Sequence, residues 1–233
     1  MANAPKKVVV REMFDDISHK YDFLNHFLSF GIDKAWRKKL TQLLAVRKPG
    51  KVLDVATGTA DLAIAISVLK PQKIVGIDIS EKMLEIGRRK LVDKGLSAFI
   101  TLQQGDAEKI PFSDNTFDAI TVAFGVRNYE NLERGLNDMR RVLRPGGAML
   151  ILEFSHPDGF PMKQLYGIYS RYCIPLIGRF VSGNSKAYSY LPESVAAFPS
   201  GKKFLEILEK SGLKNTRQVS LSMGIASIYL AEK

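Results

Sequence analysis

Between Lys51 and Phe154 short β-rich apolar runs alternate with helical stretches. A chain built this way is confined to a largely parallel sheet with helices on both faces, because each crossover has to carry a helix back over the sheet. The runs are KVLDVA (Lys51 to Ala56), KIVGID (Lys73 to Asp78), FITLQQ (Phe99 to Gln104), FDAITVAF (Phe117 to Phe124) and AMLILEF (Ala148 to Phe154). Helices are expected near Ala60 to Leu69, Glu81 to Lys94 and Asn131 to Leu143. Ser80 can cap the second by accepting a backbone N–H, and Gly95 can take the left-handed conformation that stops it. Pro145-Gly146-Gly147 reads as a turn that re-enters the sheet. The fold class is therefore α/β, a doubly wound, mostly parallel sheet.

Two segments lie outside the repeat. Lys6 to Val46 reads as helices, with Phe14, Ile17, Tyr21, Leu24 and Leu28 at helical spacing. Ser155 to Pro199 is rich in aromatics, Gly and Pro, which marks a substrate-side insertion with a helical part rather than a disordered linker. The chain then closes with a helix from Lys202 to Lys210, for which Ser200 is the expected cap. Two β-rich stretches, TRQVSLSM and IASIYLAEK, read as an edge hairpin with Gly224 at its turn. At 233 residues, 45% of them apolar, one domain is expected. Its parts are an N-terminal helical cap (1–48), a core (49–154), the insertion (155–199) and the closing helix and hairpin (200–233).

Cys173 is the only cysteine, so no internal disulfide can form; a small buried side chain suits it better than a nucleophile. No apolar run reaches the ~20 residues of a membrane span, and MANAPKK lacks a signal-peptide core, so a cytoplasmic protein is expected. A net charge of +10 admits nucleic acid, anionic lipid or an acidic ligand as partner without choosing among them.

At the mouth of the first crossover, VLDVATGTADLAIAI places Gly58 in a small-residue loop before a helix, where a ligand can approach main-chain N–H groups. The dinucleotide fingerprint G-x-G-x-x-G fails here, since Ala60 and Ala63 stand at its second and third glycines. In the looser pattern D-x-G-x-G-x-G counted from Asp54, Ala56 and Ala60 replace the outer glycines. Asp78 ends the second strand, where a carboxylate can accept from both hydroxyls of a ribose. Asp106 follows the third, and its carboxylate with the Ala107 N–H can pair with an adenine edge.

PFSDNTFDAITVAF followed by RVLRPGGAMLILEF resembles the fourth and fifth strands of class I S-adenosylmethionine methyltransferases. That resemblance implies S-adenosyl-L-methionine as cofactor. It implies that Thr59 and the loop around Gly58 contact the methionine part, Asp78 the ribose, Asp106 and Ala107 the adenine, and Ala123 the wall beside the sulfonium. Met83 packs either on the adenine face or in the core. Base methyltransferases carry Asp/Asn-Pro-Pro-aromatic after the fourth strand; here the place reads AFGVRN, Ala123 to Asn128, so nucleic acid is not the expected partner.

The phrase FGVRN, with MFDDISHKYDFLNHFLSFGIDKAWR, LEFSHP and AYSYLPESVAAFP, is similar to the C-methyltransferases of menaquinone and ubiquinone biosynthesis. That family implies methyl transfer to a ring carbon of demethylmenaquinol or of a polyprenyl methoxy-benzoquinol. Thr59 to Asp61 looks closer to the menaquinone members, which makes demethylmenaquinol the expected substrate. A ring carbon becomes nucleophilic when the neighbouring phenol, of pKa near ~10, loses its proton, and a fixed cation beside that oxygen helps. Arg127 is the candidate catalytic cation, with a structural ion pair as the competing reading.

Tyr21 and Asn25, four apart on one helical face, and Asn128 are the further candidates for contact with the quinol. His19, His26 and His156 are weaker candidates as proton acceptors. No metal-ligand spacing occurs, so none is expected. A prenyl tail would need an apolar corridor from the bilayer, formed by the insertion and the N-terminal helices, with Lys and Arg around it meeting anionic lipid. The sequence leaves homo-oligomerisation open. Rival readings are methylation of another small molecule, a non-catalytic RNA-binding module, and a nicotinamide dehydrogenase, the last disfavoured by Ala60 and Ala63.

Overall fold

The computed structural model describes residues 5–29, 31–157, 159, 160, 164, 167 and 185–233, with the side chains of 20–28 and 185–189 outside that description. Helices α1 (Lys6–Leu28) and α2 (Ile32–Ala45) precede the alternating part. There follow β1 (Lys51–Val55), α3 (Asp61–Ile66), β2 (Lys73–Asp78), α4 (Glu81–Asp93), β3 (Ile100–Gln104), β4 (Phe117–Ala123), α5 (Leu132–Val142) and β5 (Leu143–Phe154). After the insertion come α6 (Ser185–Ala197), α7 (Lys202–Lys210), β6 (Lys214–Leu221) and β7 (Ala226–Glu232). The strands form one mixed sheet in the order β3-β2-β1-β4-β5-β7-β6.

The order reverses at β1, whose two neighbours are β2 and β4, both parallel to it. Ligands of open α/β sheets bind beyond the carboxyl ends of the strands at such a reversal, because the two adjoining crossovers leave on opposite faces and open a crevice between them. β7 inserts antiparallel between β5 and β6, so the expected hairpin supplies both an inner strand and the edge. Central strands are buried on both faces, as their continuous apolar runs demand: β1 is covered from Val52 to Val55, β4 from Ala119 to Val122.

Local chemistry sets most of the boundaries. Ser80 caps α4, its hydroxyl accepting from Met83 N at 3.2 Å, and Gly95 is left-handed at φ 66°. Two expectations shift. The cap of α7 is Gly201, at φ 69° and without a side-chain bond, rather than Ser200; only glycine takes that backbone cheaply. Strand pairing on β5 begins at Leu143, before the Arg-Pro-Gly-Gly turn, and the register slips between Phe117 and Ala119, so the turn is absorbed as an irregularity of the strand.

Two apolar clusters flank the sheet. One joins β1, β4 and β5 to α5 and α7, with Phe204 and Tyr229 fully buried. The other packs Trp36, Leu40 and Leu44 of α2 against α3 and the opposite face. Among the described residues no helix is long and apolar enough to cross a membrane.

Candidate active site

A cleft opens where β1, β2 and β4 end. Gly58, Asp78, Met83, Asp106, Ala107, Ala123 and Asn128 all line it, so most of the residues singled out in the sequence converge on one wall. The loop after β1 keeps the backbone that a glycine-rich loop would have. Ala56, Gly58 and Ala60 lie at φ 53°, 56° and 67°, so the two alanines stand in left-handed positions at a cost of about 1 kcal/mol each. The loop is left-handed at all three places although glycine occupies only the middle one. Gly125 is required for a different reason: a Cβ there would come within 2.6 Å of the Ala56 Cβ, and this close approach seats the end of β4 against the loop.

The Asp78 carboxylate is held by the backbone, accepting from Gly58 N at 2.8 Å and Ser80 N at 2.9 Å. Burial nevertheless pushes its pKa up to about 6, against the pull of those bonds. Asp54, one strand over, is fully enclosed; it accepts from Thr57 Oγ1 at 2.6 Å and Thr121 Oγ1 at 2.8 Å and is likewise raised by burial to about 6. It is a strut beneath the loop. Thr59 also lies beneath it, buried, its hydroxyl accepting from Lys90 Nζ at 3.1 Å; it is absent from the cleft wall that Gly58 forms.

Several lining residues belong to α1 and were not foreseen. Val10 and Phe14 form the roof with Lys7, which pairs with Asp106 at 3.3 Å. Lys6 donates to the carbonyls of Arg127 and Tyr129 at 3.1 and 2.9 Å, and Asp15 accepts from the Ser80 hydroxyl at 2.5 Å. Helical spacing showed the apolar face of α1; no local signal says what that face covers. The side chains of Tyr21, Asn25 and His26 lie outside the described residues, as do Cys173 and most of the insertion's aromatics. His156 is exposed and sits 3.1 Å from the Val195 carbonyl. His19 is also exposed.

Beside the cleft, Trp36, Phe124 and Phe154 stack into an aromatic slab, with ring centroids 4.6 to 6.1 Å apart. Arg37 lies 5.9 Å from the Phe124 ring and Arg127 5.4 Å from Phe154. Arg37 bonds Asp33 and lies 3.6 Å from Asp61, which also bonds Lys90. Arg127 Nη1 donates to Glu153 Oε1 at 2.9 Å and to the Phe124 carbonyl. Among the described residues, Arg127 Nε is the buried side-chain polar atom left without a hydrogen-bond partner. Asn128 accepts from the Tyr190 hydroxyl of α6 at 3.1 Å.

The sequence model of the ubiE/COQ5 methyltransferase family matches residues 2–233. The chain belongs to the ubiE/COQ5 methyltransferase family. A demethylmenaquinone methyltransferase of Bacteroides fragilis is 46% identical over 229 residues, 98% of this chain and 94% of that one. A ubiquinone/menaquinone biosynthesis C-methyltransferase of Geotalea daltonii is 45% identical over 226 residues, 96% of each chain. Among solved structures, a SAM-dependent methyltransferase of Thermotoga maritima superposes with a TM-score of 0.67 at 19% identity, covering 96% of this chain and 99% of that one. The [4+2]-cyclase SpnF gives 0.64 at 19% identity, covering 100% and 97%. These two likenesses speak for the fold alone, as the cyclase makes plain.

The enzyme is a SAM-dependent methyltransferase, and its cofactor is S-adenosyl-L-methionine. The cleft fits that group. Asp78, Asp106, Glu108 and Glu130 line it with Lys7, a balance that suits a donor carrying an ammonium and a sulfonium. The bare Gly58 leaves main chain open to it, since a Cβ there would already touch Met83 Cε at 3.6 Å.

Proposed function

We propose that the enzyme C-methylates the ring of demethylmenaquinol, giving menaquinol. The reading is carried by the 46% identity to a demethylmenaquinone methyltransferase along nearly the whole of both chains. A polyprenyl methoxy-benzoquinol is the second reading, because a relative at 45% identity is named for both quinones. When bound, the cofactor supplies a methyl group already activated on sulfur, so the protein's work is to orient the acceptor and make its carbon nucleophilic.

In this reading Asp78 accepts from the ribose hydroxyls, Asp106 and Ala107 meet the adenine edge, Gly58 and Thr59 shape the methionine end, and Ala123 stands beside the sulfonium. Phe14 and Val10 close the cleft from above. Arg127 is the catalytic cation: its unpartnered Nε–H is the donor that a quinol oxyanion would engage, and a buried donor without an acceptor costs about 1 to 3 kcal/mol until one arrives. Asn128, oriented by Tyr190, and Tyr21 and Asn25 of α1 complete the quinol contacts. The tail leaves through the insertion toward an anionic bilayer, which the protein meets peripherally from the cytoplasmic side.

The test is an in vitro assay with methyl-labelled cofactor, offering short-chain demethylmenaquinol and methoxy-benzoquinol in parallel. Label is expected in the naphthoquinol ring with a clear preference; exclusive labelling of the benzoquinol would install the second reading, and none in either would overturn both. Sedimentation with anionic liposomes at low salt tests the membrane contact, and absence of binding removes it.

A further inference from the structure

We propose that Glu153 is a positioning residue of the reaction, fixing the Arg127 guanidinium and tempering its charge toward the substrate oxygen. The inference rests on Arg127 as the catalytic cation. Glu153 lies near the carboxyl end of β5 with no solvent exposure, and the Arg127 side chain is 7% exposed. The carboxylate accepts from Arg127 Nη1 at 2.9 Å, Arg127 N at 3.4 Å and Phe154 N at 2.9 Å. With the Phe124 carbonyl also on Nη1 and the Phe154 ring against the guanidinium, the group is held from several sides. Among the buried side-chain atoms described, Nε is left without a partner.

A pair kept only for stability would be a poor choice at this place. Two charges taken out of water recover their desolvation cost only when every donor is satisfied, and an apolar pair of similar volume would often serve better. Here one buried donor is left unsatisfied on the residue next to Asn128, which lines the cleft. The second consequence is electrostatic. An arginine joined to a buried carboxylate presents a dipole, and its pull on a nearby phenolic proton is weaker than that of a lone cation. The other ionisable groups at this corner are Lys6 from α1, Tyr129 after the Val126–Asn128 turn, Tyr190 from α6 and Tyr229 from β7. Lys6 is spent on the Arg127 and Tyr129 carbonyls, and burial raises all three tyrosines. The carboxylate that counters Arg127 is therefore Glu153.

The experiment is the pH dependence of kcat with saturating cofactor and short-chain demethylmenaquinol, for wild type, E153Q, E153D and R127K. E153Q keeps an acceptor oxygen and loses the charge, so the acid limb of kcat is expected to move to lower pH by about one unit, with KM for the cofactor within twofold of wild type. E153D retains the charge at shorter reach; its limb should coincide with wild type while kcat falls about tenfold through misplacement of the guanidinium. An E153Q limb that stays in place or moves up overturns the proposal, and should E153Q fail to fold, a shifted limb in E153D does so. If R127K keeps wild-type kcat, the reading of Arg127 fails; if R127K loses activity and the E153Q limb is unmoved, Glu153 alone is ruled out.

Discussion

Two buried arginines lean on the same aromatic slab, and they are used differently. Arg37, on the α2 side, is spent on carboxylates: Asp33 bonds it and Asp61 stands 3.6 Å away, while Asp61 also holds Lys90. Arg127, on the β5 side, has one carboxylate and a remaining Nε–H with no acceptor among the described residues. A satisfied cluster braces the loop that carries Gly58; an unsatisfied one keeps a donor ready. Stability and turnover should therefore separate between the two sides.

The largest effect is expected at Arg37. Arg37→Met takes the cation from Asp33, whose side chain is 3% exposed and keeps its bond from the Ser29 hydroxyl, and removing one partner of a buried pair typically costs about 3 to 5 kcal/mol. Thermal unfolding should drop sharply while turnover per folded molecule stays within a few-fold of wild type. A comparable loss of turnover at unchanged stability would erase the contrast.

Arg127→Lys should do the reverse. The charge that Glu153 needs is retained and the planar edge carrying Nε is lost, so kcat should fall about 100-fold, the scale of one oxyanion donor, with melting little changed. The KM for the cofactor, which Arg127 does not touch in this account, should hold.

The alternation of runs, the Ser80 cap and the convergence of Asp78, Asp106 and Ala123 were legible in the sequence because each depends on a few adjacent residues. The partnership of Arg127 with Glu153 was not, since the two are 26 positions apart and meet only through the β4–β5 register. Likewise Lys7, Val10 and Phe14 showed themselves as a helix but gave no hint of roofing the cleft. The alanines at 56 and 60 act in the other direction: they weaken the loop pattern in the sequence, although both take a left-handed backbone of the kind that glycine favours.

A pH effect sharpens the cofactor side. Burial raises Asp78 to about 6, so the free protein holds that proton more tightly than the unfolded chain does; if Asp78 takes the ribose hydroxyls as proposed, binding must expel it. Affinity for S-adenosylhomocysteine should fall about tenfold between pH 7 and pH 5. Calorimetry near pH 6 in buffers of different ionisation heat should register proton release, which Asp78→Asn should abolish. Uptake of protons instead would place the carboxylate elsewhere.

The smallest effect concerns Ala60, fully buried at φ 67°. Ala60→Gly relieves about 1 kcal/mol of left-handed strain and returns part of it as chain entropy, so melting should rise by a degree or two or hold steady. A clear fall would mean that the methyl group's packing outweighs the strain.

The most direct measurement is on the Arg127 Nε–H itself, by ¹⁵N-edited NMR with the resonance assigned through its loss in Arg127→Lys. Adding a short-chain quinol to the enzyme saturated with S-adenosylhomocysteine should shift that proton downfield and slow its exchange, as a hydrogen bond to an oxyanion does. A quinol that binds and leaves the resonance unmoved would contradict the account.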